Sequence, residues 1–157
     1  GGGPVRAALC WFANRRPAMR PVQLLRFLSG ARDARGRLPA DFTDPLNADV
    51  SVSTDDGSAG FRGTAIGLLE TMLAQLPSDA RPGLYVAGPE PMMRAAAQLA
   101  TAHSIPCSVS LENRMACGFG VCRGCVCKTK GVDPVTGLAH KSVCADGPVF
   151  DIKSIDF

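Results

Sequence analysis

Apolar positions follow two rhythms along the chain, and the rhythms alternate. Residues 22–29 (VQLLRFLS) form a dense apolar run that stops at Gly30, which predicts a buried strand. Residues 49–54 (DVSVST) alternate at period two and stop at Asp55-Asp56-Gly57-Ser58, a strong turn signal. Over residues 64–76, Ile66, Leu69, Met72, Leu73 and Leu76 share one helical face. Residues 84–87 read as a short apolar strand closed by Gly88-Pro89, and residues 89–103 as a helix with proline near its start, where a missing N–H costs nothing. Residues 108–111 give a further strand, residues 5–14 a helical pattern, and residues 39–46 have room for a short helix.

Strand–helix alternation of this kind predicts an α/β fold, a parallel sheet covered by helices on both faces. Ligands in such sheets lie beyond the carboxyl ends of the strands, where Gly30, Thr54 to Ser58 and Ala87 to Glu90 would sit. From Glu112 onward the composition turns to glycine, cysteine and loop. Two domains are therefore expected: a nucleotide-binding domain over residues 1–111 and a small cysteine-rich module over 112–157. Gly1-Gly2-Gly3 leads into a helix, a position that a strand normally precedes, so the chain reads as the C-terminal part of something longer.

Bulk numbers narrow the class. A content of 46% hydrophobic and 20% charged residues is ordinary for a globular protein. A net charge of +3, with the arginines scattered, argues against a nucleic-acid partner. No run approaches the roughly 18 apolar residues of a membrane span, and no signal pattern opens the chain, so a cytoplasmic location is expected. Seven cysteines is an odd number, and five of them lie from Cys117 to Cys144. That clustering points to metal rather than to a disulfide scaffold. Cys10 and Cys107, in apolar surroundings, read as buried thiols.

The cysteine spacing is Cys117-x4-Cys122-x2-Cys125, with Cys144 after 18 further residues. This is the plant-type ferredoxin arrangement for a [2Fe–2S] cluster. Four thiolates must come from a loop that wraps the cluster closely, and Gly118, Gly120 and Gly124 let the backbone do so while its N–H groups point at sulfur. Structural zinc usually takes two C-x2-C pairs or histidines, whereas here one such pair occurs and His140 stands alone. Cys127 would enter the ligand set only by breaking the spacing, and burial as a free thiol is its expected fate. Gly1-Gly2-Gly3 before a helix is suited to cradle a diphosphate or merely to turn. Gly88-Pro89-Glu90-Pro91-Met92-Met93 puts a rigid turn at a strand end with a helix start behind it. Asp55 and Asp56 are placed to bind ribose hydroxyls or simply to make the turn.

At this point the chain resembles a family. The segments TDDGSAG (54–60), GPEPMM (88–93), SLENRMACGFGVCRGCVC (110–127) and CADGPVF (144–150) are similar to those of the ferredoxin reductase-like flavoproteins, and among these to the electron-transfer subunits of NAD-linked dihydroorotate dehydrogenase. The resemblance implies a nucleotide domain of the ferredoxin reductase C-terminal type, then the cluster module, with FAD on a preceding domain outside these residues. It implies an FMN-containing catalytic partner subunit that oxidises dihydroorotate, with electrons passing from FMN through the cluster to FAD and NAD. Carried over by position, Gly1, Gly2, Gly3, Thr54, Asp55, Gly88, Pro89, Glu90 and Met92 would line the nucleotide site. Cys117, Cys122, Cys125 and Cys144 would bind the cluster. The chain departs from the family at Val5 and Ala8 in the opening loop, and at Ala87, where the family has cysteine. Two other readings compete: the small subunit of a ferredoxin-NADP transhydrogenase or sulfide dehydrogenase, and a zinc-stabilised docking module without redox activity.

Overall fold

A computed structural model describes residues 25–39 and 49–157. The predicted helix over 5–14, and that over 39–46 beyond its first residue, lie outside the described residues, as do Gly1, Gly2, Gly3 and Cys10. The chain divides into two compact units, one ending at Ala80 and the other running from Arg81 to Phe157.

In the first unit, β1 (Arg26–Ala31) and β2 (Asp49–Thr54) pair in parallel, in register from Arg26 opposite Asp49 to Ala31 opposite Thr54. A short β3 (Phe61–Arg62) adds in parallel on the other side of β2. Helix α1 (Ala65–Ala74) starts at Thr64, whose side-chain oxygen accepts the Gly67 N–H at 3.1 Å and so satisfies one of the free amides of the first turn. Its face of Ile66, Leu69, Met72 and Leu73 is half-buried, while Glu70 and Thr71 face water.

Strand β1 continues one residue past Gly30, where the sequence pattern predicts its end. A Cβ on Gly30 would stand 2.9 Å from the Cβ of Ala65. Glycine here serves the close approach of α1 to the sheet and does not break the strand. The turn after β2 is tightly bonded. The Thr54 hydroxyl donates to the Ala59 carbonyl at 2.7 Å and accepts the Ala59 N–H at 3.0 Å. Gly57 and Gly60 take left-handed φ values of 77° and 67° that a side chain would oppose.

In the second unit, β4 (Leu84–Ala87) and β5 (Cys107–Ser110) are parallel, joined by α2 (Glu90–Ala102). Buried Met93, Ala96 and Ala100 recur at helical spacing on α2. Strand β6 (Val126–Lys128) pairs antiparallel with β7 (His140–Ser142), which runs directly into the short helix α3 (Val143–Asp146). Strand β8 (Val149–Asp151) then returns to β5 as an antiparallel edge, with Phe150 opposite Val109. One core joins these parts: Met93, Ala100, Cys107, Val109, Cys125, Val143, Phe150, Ile152 and Ile155. The cysteine-rich segment and the β4–α2–β5 crossover are thus packed as one body. Both units show the expected parallel α/β pattern; the antiparallel β8 is an addition that the sequence rhythm does not announce.

Candidate metal centre

The loop from Cys117 to Cys125 is shaped by its glycines. Gly118 and Gly120 have φ values of 76° and 90°, and Arg123 takes 53° despite its side chain. These left-handed steps turn backbone amides toward sulfur. The Cys122 N–H donates to Cys117 Sγ at 3.4 Å and the Gly124 N–H to Cys122 Sγ at 3.4 Å. The Cys144 N–H donates to Cys125 Sγ at 3.4 Å and the Gly120 N–H to Cys144 Sγ at 3.1 Å. A further bond, from the Val143 N–H to the Cys125 carbonyl at 2.9 Å, ties α3 to the end of the loop.

The four sulfurs fall into two pairs. Cys117 and Cys122 are half-buried and exposed; Cys125 is buried at 2% exposure, with half-buried Cys144 beside it. The amides of Cys122 and Phe119 pull the Cys117 thiol down to about 6, well into the range where it ionises at neutral pH. The Cys144 amide likewise lowers Cys125. Cys144 is pushed up, because it keeps a proton that it shares with Cys125. Among the described residues, no three histidine, cysteine, aspartate or glutamate side chains converge on one point as a single metal ion would require. Two thiol pairs, each fed by amide donors, suit a binuclear centre with two thiolates on each iron better than one tetrahedral ion.

Cys127 stands apart. In β6 its neighbours Val126 and Lys128 face outward, so Cys127 faces inward, where its thiol donates to the Lys141 carbonyl at 3.5 Å. Burial raises it, and it stays a thiol. A feature that sequence reasoning missed surrounds the loop: Met115, Phe119 and Val121 are 49%, 70% and 73% exposed. Phe119 and Val121, apolar residues between Cys117 and Cys122 on a loop too short to fold back on itself, were the available signal.

The sequence-predicted nucleotide residues are distributed over both units. Gly1, Gly2 and Gly3 lie outside the described residues. Thr54 is fully buried with its hydroxyl committed to Ala59, and exposed Asp55 donates its amide to the Ala31 carbonyl at 3.1 Å. Gly88, Pro89, Glu90 and Met92 share the turn from β4 into α2, where the end of the Met92 side chain packs against the Gly88 backbone and would have to shift for a Cβ there. Glu90 pairs with Arg94 at 2.8 Å. This turn walls a cavity of about 600 Å³ whose other side includes Val126, Cys127 and Phe157. Met93, rather than Met92, reaches both the cavity and the core.

Residues 112–156 match the family model of the iron–sulfur cluster binding domain of dihydroorotate dehydrogenase B. The chain is a relative of the electron transfer subunits of dihydroorotate dehydrogenase B. It is 36% identical over 109 residues to the subunit named dihydroorotate dehydrogenase B (NAD(+)), electron transfer subunit, of Caldanaerobacter subterraneus subsp. tengcongensis, covering 69% of this chain and 41% of that protein. It is 34% identical over 149 residues to the subunit of the same name from Geobacillus thermodenitrificans, covering 95% of this chain and 53% of the relative. The chain thus spans about half the length, or less, of these two curated relatives. Among solved structures it is similar to the NADH-dependent reduced ferredoxin-NADP oxidoreductase described for flavin-based electron bifurcation, at a TM-score of 0.68 and 24% identity over 85% of this chain and 44% of that one. That likeness is one of fold. The dihydroorotate dehydrogenase B match covers the entire cysteine loop, Cys144 and β8. Among the described residues no helix is long and apolar enough to cross a membrane.

Proposed function

We propose that this chain carries a [2Fe–2S] cluster on Cys117, Cys122, Cys125 and Cys144 and works as part of the electron-transfer subunit of an NAD-linked dihydroorotate dehydrogenase. The observation that carries the reading is the arrangement of the thiols as two amide-bonded pairs, within a segment that matches the family's iron–sulfur domain. When bound, such a cluster accepts and releases one electron at a time. The protein's part is to hold four sulfurs as thiolates and to surround them with N–H dipoles, which favour the more negative, reduced state. Burial of Cys125 in the core fixes one pole of the site, while Cys122 meets solvent at the other. In this reading electrons move between the FMN of a separate catalytic subunit and FAD and NAD, in the cytoplasm, in the service of pyrimidine synthesis.

The nucleotide role is proposed for Gly1, Gly2, Gly3, Thr54, Asp55, Gly88, Pro89, Glu90 and Met92. It is supported by the turn from β4 into α2, which brings Gly88, Pro89, Glu90 and Met92 together beyond the carboxyl end of a parallel strand, where ligands of such sheets lie. Residues 1–111 would then form the nucleotide-binding domain and 112–157 the cluster module.

The test is anaerobic purification with iron and sulfide assay and an EPR spectrum after reduction. About two irons and two sulfides per chain with a rhombic signal are expected. Serine at Cys117, Cys122, Cys125 or Cys144 should cut the iron content severely, while Cys127→Ser should leave it at the parent level. Zinc in place of iron, with no visible absorption, would overturn the redox reading and leave a docking module.

A further inference from the structure

Gly120 lies between Cys117 and Cys122 in the chain, yet its amide serves neither. It reaches across to Cys144 Sγ at 3.1 Å, shorter than the 3.4 Å bonds that the amides of Cys122, Gly124 and Cys144 make to their sulfurs. It therefore ties the loop of one thiol pair to a sulfur of the other, across a sequence separation of 24 residues.

Two features make that approach specific to glycine. Gly120 has a φ of 90°, a backbone conformation that side chains oppose. A Cβ placed on it would also stand 2.9 Å from the Cβ of Ala145, the residue that follows Cys144 on α3. A methyl group fixed directly to a helix backbone cannot swing aside, so any side chain at 120 must lift the loop from α3. Gly118, two residues earlier, provides the contrast. It shares the left-handed geometry at 76°, but a Cβ there would meet nothing within 4 Å.

We infer that Gly120 is a positioning residue for the redox centre: its amide, pressed onto Cys144 over Ala145, raises the reduction potential of the cluster. The inference rests on the cluster reading above. Reduction adds one negative charge to a centre already rich in thiolate, and an N–H dipole aimed at a ligand sulfur stabilises the reduced form more than the oxidised one. Lengthening that bond makes the centre harder to reduce. The effect needs no change of ligand and no loss of iron.

The experiment is an EPR-monitored redox titration of the iron-loaded chain in four forms: parent, Gly120→Ala, Gly118→Ala and the double variant Gly120→Ala with Ala145→Gly. Gly120→Ala is expected to shift the midpoint to a more negative potential. Gly118→Ala, which carries the same backbone strain, should leave it in place. Removal of the Ala145 methyl in the double variant should move the midpoint back toward the parent. An unshifted Gly120→Ala, or a Gly118→Ala shift of equal size, would overturn the inference. If Gly120→Ala binds no iron, the double variant decides: recovery of iron and of a near-parent potential supports the role, and continued failure to load refutes it. A parent chain without iron and sulfide is a different result, and removes the cluster reading itself.

Discussion

Phe150 offers the sharpest test of how the cysteine-rich segment is held to the rest of its unit. It is 6% exposed, the one buried residue of β8, and stands opposite the fully buried Val109 across the β5–β8 pair. Its ring edge also packs against Gly147, where a Cβ would come within 2.6 Å of Cζ. Phe150→Ala removes the ring and leaves a cavity among the core residues that it packs with. The transfer and cavity costs together come to about 4 kcal/mol. That is close to a thousandfold in the folding equilibrium, and a large share of the 5–15 kcal/mol typical of a whole domain. With a urea slope of about 2 kcal/mol/M, the midpoint should fall by about 2 M. The assay is urea unfolding of the iron-loaded protein followed by far-ultraviolet circular dichroism and by visible absorption. Because Cys144 sits on α3 immediately before β8, the colour should be lost within the same lowered transition. A midpoint within about 0.5 M of the parent would refute the reasoning, showing that backbone pairing and not the ring fixes β8.

Further outcomes follow from single residues. Gly60→Ala should cost about 2 kcal/mol or more in thermal unfolding, since φ is 67° and the new Cβ would run into the Val52 carbonyl group; Gly131→Ala, with open space around it, should be near neutral. Burial pushes the Cys107 thiol from 9.0 up to about 11, so it should resist iodoacetamide at pH 8.5 until the protein unfolds. Because its folded value lies above the unfolded one, the stabilisation is whole below about pH 9 and is lost as pH rises toward 11; urea midpoints across that range should fall, and fall less in Cys107→Ala. The Asp133 carboxyl is held below its ordinary range by the amides of Thr136 and Val135, at 2.8 and 2.9 Å. The order it gives the β6–β7 connection is present above the ordinary carboxylate pKa and lost as pH falls through the lowered one, so amide protection of Val135 and Thr136 should drop in acid, and at neutral pH in Asp133→Ala.

What could be read from the chain alone was whatever a few neighbouring residues encode. The x4/x2 cysteine spacing marked the loop, and two of the glycines inside it, Gly118 and Gly120, take left-handed steps. Period-two alternation located β2 and helical spacing located α1, while an apolar run before Gly88-Pro89 marked β4 and a proline near its start marked α2, each to within a residue or two; the separation of Cys127 from the x4/x2 spacing agrees with its inward, hydrogen-bonded position in β6. Only the tertiary structure revealed that Gly30 seats α1 instead of ending β1, that β8 closes antiparallel on β5, and that Phe119 and Val121 stay in water. It also decided how the sulfurs pair and which amide each receives, above all the reach of Gly120 to Cys144. The physical reason is one of range. Turn chemistry and side-chain periodicity act between residues a few positions apart, whereas contacts across 24 residues exist only after the chain has closed on a shared core, and no local pattern records which partner that closure will bring.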